Sequence, residues 1–285
     1  MSATRPFMSW AGRVEVAAGF FLWAAVLIVS SAVPLGAAEP VLFPTPLHIT
    51  RELSDPVSQK TTLIDEYCHG NRVVSVSGTR TVIADYAKGE MTEIDFAAGT
   101  YSVTKFEQVA RLNAKAAPAV VAAAAARREW RVEARGGSVI ASRPAETTEA
   151  EWKDENTRHV IRISADRQVT LSRGAIEALL GIGYPQRADA TGEVMLGALR
   201  SRDKKVASDA AASAEEYHLP LEQVFRFEAG GEAMETRNVV VRIGAELPPT
   251  DALTIPPGAK LVESKAVALQ RALEELDGSA RPSGN

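Results

Sequence analysis

The chain has 285 residues, 46% of them hydrophobic and 24% charged, with a formal net charge of −4. That length suits one domain with insertions, and the mildly acidic balance gives no reason to expect nucleic acid as a partner. A single cysteine, Cys68, excludes an internal disulfide.

The N-terminus reads as an export signal. Arg5 and Arg13 precede an uncharged apolar run from Val16 to Ala38 that closes on small residues at Gly36 and Ala38. Residues 1–38 are therefore expected to be a signal peptide or, if uncleaved, an N-terminal membrane anchor, since the run is long enough to span a bilayer. No cysteine stands at the end of this segment to take a lipid, and Ala119–Ala126 is too short to span. In both cases the rest of the chain is placed in the periplasm or on the outer side of the cytoplasmic membrane. Any membrane contact is expected only through residues 16–38.

Residues 39–60, proline-rich and polar, read as an extended lead-in. From Thr61 to Phe106, short runs rich in β-branched and aromatic residues read as a β-meander, with Gly70, Gly89 and Gly99 at the turns. Phe106–Trp130 turns to helical composition around Pro118. Strand patterns return at 130–142 and 158–172, and the charged stretch between them, 143–157, reads as a surface loop or long hairpin tip. Residues 174–183 and 191–217 read as helices, and 219–247 as a hairpin around Gly230-Gly231. A proline-bracketed segment then leads to an amphipathic helix at 264–278, with Leu269, Leu273 and Leu276 on one face. Residues 279–285 read as a disordered tail, and no internal repeat is evident.

Strand side chains alternate between faces. The simplest alignment of the meander puts Val82, Tyr86, Ile94, Phe96 and Val103 on one apolar face. It sends Asp85, Glu93 and Asp95 to a wetter one, where they serve as solvated charges rather than as an acid–base or calcium site. The four histidines show no metal-ligand spacing. Cys68 and His69, adjacent on a strand, point to opposite faces, which favours a buried thiol beside an exposed imidazole over a Cys–His nucleophile. There is no G-x-S-x-G elbow. Asp189–Gly192 fits a helix start better than a protease motif, and Gly181–Gly183 lacks a phosphate-loop setting.

Two stretches carry a resemblance. One is "SVSGTRTVIADYAKGEMTEIDFAAGTYSV"; the other runs from "LPLEQVFRF" through "TRNVVVRIGAELPPTDALTIPPGAKLVE". Together they resemble the periplasmic lipoprotein-carrier superfamily (LolA/LolB-like) and exported relatives of that shape, over roughly residues 61–110 and 218–263. The resemblance implies an α+β fold: a curved antiparallel β-sheet, or half-barrel, with helices covering the concave face. It would occupy 61–263, with a helix-containing insertion at about 114–217. It transfers no catalytic residue and no cofactor.

Three functions stand as alternatives. The first is an exported protein binding a lipid or other apolar ligand in a cleft lined by Val82, Ile94, Phe96, Val103, Phe225, Phe227, Val241 and Ile243. The second is a non-enzymatic envelope interaction or structural protein, with an envelope protein as partner, whose hollow is filled by its own side chains. The third is an unrecognised hydrolase. No catalytic residue and no metal site is expected.

Overall fold

The computed structural model describes residues 41–56, 59–109, 130–153, 156–183, 190–200, 215–265, 267–268 and 271–272. The signal segment, the Ala-rich stretch 119–126, Leu269, Leu273, Leu276 and the tail lie outside them. Among the described residues twelve strands form one open sheet, ordered β12-β6-β5-β4-β3-β2-β1-β11-β10-β9-β8-β7. All pairings are antiparallel except that of β12 (Lys260–Leu261) with β6 (Thr100–Lys105). The protein is mostly β. Its longer described helices are α1 (Arg173–Gly183) and α2 (Ala190–Leu199).

The meander folds as the alternation predicts, as β2 (Thr61–Gly70), β3 (Arg72–Ser77), β4 (Arg80–Asp85), β5 (Glu90–Asp95) and β6. The last two hairpins share one device ten residues apart, a repeat that the sequence reading passed over. Asp85 accepts the Lys88 N–H at 3.1 Å, and Asp95 accepts the Ala98 N–H at 3.0 Å. Gly89 and Gly99 both take φ of 61°, a conformation that costs side-chain-bearing residues energy.

Two expectations are corrected. Residues 43–54 are no lead-in but β1 (Phe43–Ser54), a central strand between β2 and β11 (Glu232–Gly244). Pro44 and Pro46 fall where its pairing with β2 is interrupted, between Phe43 and Leu47, so neither costs a ladder bond. The charged stretch 143–157 is largely β8 (Arg143–Lys153), paired with β7 (Arg131–Ile140) and β9 (Thr157–Ser172). Its charges find partners across the strands: Glu149 with Arg135 at 2.6 Å, Glu151 with Arg158 at 2.8 Å. The β7–β8 turn places Ala141 and Ser142 at φ of 49° and 62°. A hairpin turn normally announced by Asn or Gly is here built without either.

The sheet is strongly curled. β7 comes within 8 Å (Cα–Cα) of β11, although β8, β9 and β10 (Glu216–Ala229) lie between them. A flat sheet would hold them about 19 Å apart. The helices α1 and α2 pack inside the curl. Ile176 and Leu180 of α1 and Leu199 of α2 join Ile161, Ile163 and Tyr217 in one cluster, while Ala175, Ala178 and Leu179 join Phe43, Ile49, Cys68, Val73, Leu219 and Leu221 in another. An ion pair is buried among these inward-facing residues: Arg51 Nε lies 2.7 Å from Glu66 Oε2, the two side chains 3% and 4% exposed, and Arg51 also donates to the Pro220 carbonyl.

After β11 the chain crosses the outer face of β1–β5 to reach the far edge at β6. Glu246 bonds His48 Nδ1 at 3.1 Å, and Asp65 bonds His48 Nε2 at 3.0 Å, with Tyr67 stacked on the ring. A 3-10 turn at Thr250–Leu253 lies beside β4, and Lys260 and Val262 donate to Gly99 and Tyr101 of the edge. Ser264 then caps a helical turn through the N–H of Val267, where the closing helix was expected to start.

Candidate functional site

The structure disperses the eight residues expected to line a cleft. In an antiparallel ladder, directly paired residues share a face. Val82 pairs with Glu93, whereas Ile94 pairs with Thr81 and Tyr101. Val82 therefore faces inward with Glu93, and Ile94 outward, where the strap after β11 covers it to 1% exposure. Val103 pairs with Thr92 on the outer face and is exposed, as are Phe96, in the β5–β6 turn, and Val241, at the β1–β11 bulge. The assignment of the acids fails for the same reason. Asp85 faces outward and is buried against Arg72 at 2.8 Å, while Glu93 and Asp95 face inward. Burial holds Glu93 above the ordinary glutamate range, opposed by Lys265, a bond from Ser102 and Arg80. Cys68 is buried and His69 exposed, as the alternation requires.

Phe225, Phe227 and Ile243 do face inward. Ile243 packs on the cluster beneath α1, and Phe225 on the cluster beneath α2. Phe227 belongs to an aromatic row that the sequence reading missed. Trp152 of β8, His159 of β9 and Phe227 of β10 stand directly opposite one another in register, with successive ring centroids 4.8 Å apart. Met234 of β11 extends the row and is 51% exposed; Val132 of β7, on the same face, is 49% exposed. These side chains lie on the inner face of β7–β11, close to the strand ends. Two pairs deeper on the same face, Gln223 lies opposite Asn238. Both are buried, and each has an amide oxygen without a hydrogen-bond partner. No short-range signal marks this row, because its members come from three strands and meet only through register.

A cavity of about 310 Å³ lies between the inner face and the end of α2, lined by Glu146, Thr148, Ala165, Arg167, Ala198, Arg200 and His218. Among the described residues no group of three or more His, Cys, Asp or Glu side chains could hold a metal ion, and no helix is long and apolar enough to cross a membrane.

The geometry describes a curled, open, mostly antiparallel sheet with helices in its hollow. No protein-family model matches the chain, and no curated protein matches it. Several solved structures are similar in shape. The Pseudomonas aeruginosa MucA/MucB complex aligns at 13% identity and TM-score 0.40, covering 76% of this chain and 58% of that one. PNGF-II aligns at 9% identity and TM-score 0.34, covering 81% and 33%. An outer membrane lipoprotein-sorting protein domain from Vibrio parahaemolyticus aligns at 9% identity and TM-score 0.28, covering 73% and 89%. The chain thus spans about a third of PNGF-II and under three-fifths of the MucB-containing chain. At these scores the likenesses assign neither a family nor a function.

Proposed function

We propose that the chain is an exported, non-enzymatic binding protein of the cell envelope, and that it takes an apolar ligand at the open end of its curled sheet. The observation that supports this most is the row of Trp152, His159 and Phe227, continued by half-exposed Met234 on the same face. Apolar side chains lining a concave rim, rather than closing into the core, fit an apolar ligand or partner. The unpartnered amide oxygens of Gln223 and Asn238 lie deeper on that face. A buried acceptor without a donor costs about 1–3 kcal/mol, and a ligand with an apolar body and a hydroxyl or ammonium head would satisfy both.

A second reading is favoured by a different observation. The middle of the hollow is filled: Ile176, Leu180, Leu199, Leu219 and Leu221 are fully buried there. A protein with a self-filled interior would act as an envelope interaction protein through its outer surfaces.

Displacement of a fluorescent fatty acid separates the two. Saturable binding by the folded protein, lost in Phe227→Glu and retained in Phe96→Glu, is the outcome expected of the rim site. No saturable binding, or equal binding by Phe227→Glu, would sink it in favour of the interaction protein.

A further inference from the structure

The cavity at the end of α2 has a chemistry that neither reading uses. Its floor is the inner face of the β8–β9 ladder, where Glu146 pairs with Ala165 and Thr148 with Ile163. Arg167 stands just beyond the bend of β9. That bend is fixed by Asp166, which is fully buried, bonds Arg143 and accepts the N–H groups of Gln168 at 2.6 Å and Val169 at 3.3 Å. Arg200 follows the last residue of α2 and is tied to β10 by its bridge to Tyr217. His218 comes from β10 itself, at an irregularity beside Pro220. Three separately anchored elements thus bring two guanidiniums and one imidazole to a single hollow.

The two guanidiniums are neutralised unequally. Arg167 reaches Glu146 only at 3.9 Å, an ion pair without a hydrogen bond, while Arg200 is paired with Glu215. The lining itself holds Arg167, Arg200 and one carboxylate, Glu146, while the partner of Arg200, Glu215, stands outside it. The walls at Ala165 and Ala198 are short, which leaves the space open. Nδ1 of His218 is shut off from solvent and has no hydrogen-bond partner, although buried polar atoms are normally satisfied. The guanidinium forks of Arg167 and Arg200 are suited to carboxylate or phosphate oxygens.

We propose that this cavity is a binding site for a small anion bearing a carboxylate or phosphate group. Arg167 and Arg200 engage its oxygens, and the Thr148 hydroxyl offers a further donor. The volume corresponds to about ten water molecules at ~30 Å³ each, which fits a metabolite-sized anion and is small for a long acyl chain. Glu146 is the built-in competitor: its carboxylate occupies the side of Arg167 that a ligand would take. This site is separate from the aromatic rim and does not depend on it.

Calorimetric titration of the folded protein with inorganic phosphate and with citrate tests the assignment. Saturable one-to-one binding of at least one anion is expected, weakened about tenfold by Arg167→Gln and by Arg200→Gln, the usual scale for losing a charge-assisted bond. Arg200→Lys should fall between, because charge remains and the fork is lost. Glu146→Gln should bind several-fold tighter, a gain that a damaged fold could not produce. Vesicles of phosphatidylcholine with and without phosphatidic acid separate a lipid head group from a free anion. Binding to the vesicles alone, no saturable binding of either soluble anion, or equal affinity in all variants would overturn the proposal. The fatty-acid displacement assay reads the rim alone, so failure at one site is distinguishable from failure at the other.

Discussion

Val82 of β4 stands directly opposite Glu93 of β5, so an apolar and an acidic side chain share the inner face. The reason lies in the connecting turn. Asp85 pairs with Glu90 across the four residues 86–89, and that count sets every pair behind it. Shifting the alignment by one residue would put Val82 beside Ile94 and reverse the facing of the whole strand.

This register exchanges Asp85 and Phe96 in the stability order that a solvated-acid picture implies. Asp85 is 6% exposed, bonds Arg72 and holds its own turn. Asp85→Asn is expected to cost about 1–3 kcal/mol, as against the few tenths of a surface site. Ile94→Ala, at 1% exposure, should cost about 2–5 kcal/mol. Phe96→Ala, exposed in a turn, should cost about 1 kcal/mol or less. Urea denaturation of the three variants gives the ranking directly.

Glu93 and Asp95 should show opposite pH signatures. Glu93 sits above its ordinary range because burial penalises its charge. The cost of that charge is absent below the ordinary glutamate range and fully present above the raised value. Glu93→Gln should therefore raise the urea midpoint at about pH 8 and leave it unchanged at about pH 3.5. Asp95 is held low, first by the Ala98 N–H and then by Arg80. Its contribution is present above the ordinary aspartate range and fades as the pH falls through the lowered value. Asp95→Asn should lower the midpoint at neutral pH and lose that effect in acid.

The Arg51–Glu66 pair is expected to behave as a buried charge pair. Arg51→Met or Glu66→Leu alone should cost about 3–5 kcal/mol by leaving one charge uncompensated. The combination of Arg51→Met with Glu66→Leu should cost less than either single change. A double-mutant cycle in urea measures the coupling, and simple additivity would count against a coupled pair.

Cys68 is 1% exposed, and burial pushes its thiol well above the ordinary range, with Glu66 adding to the shift and Arg51 opposing it. Iodoacetamide should leave the folded protein unlabelled and modify it in denaturant, as read by mass spectrometry. Rapid labelling of the native state would place this strand at the surface.

Gly89→Ala and Gly99→Ala should each cost about 1 kcal/mol. Both glycines have positive φ, and an added Cβ would meet nothing within 4 Å, so the penalty is backbone strain alone. Thermal melts of the single variants should show shifts of similar size.

Much of this architecture is written locally. Alternating β-branched residues and glycine turns mark β2 to β6, Gly230-Gly231 marks the β10–β11 hairpin, and α1 shows in its helical composition, because each depends on neighbours a few residues away. Other features had no such signal. β1 looks like a polar leader until β2 and β11 pair with both its edges. β8 looks like a charged loop until Arg135 and Arg158 meet its glutamates. The aromatic row joins Trp152, His159 and Phe227 across a register that their own sequence surroundings do not specify. Arg51 and Glu66 are buried on the inner face of the curl, where Arg51 meets the Pro220 carbonyl, and Ile94 on the outer face that the chain crosses after β11. Local propensity therefore settled the extended runs of the meander and the turns that glycine marks. Which face each side chain meets, and what covers it, was decided by pairing between distant strands, where a shift of a single residue exchanges inside for outside.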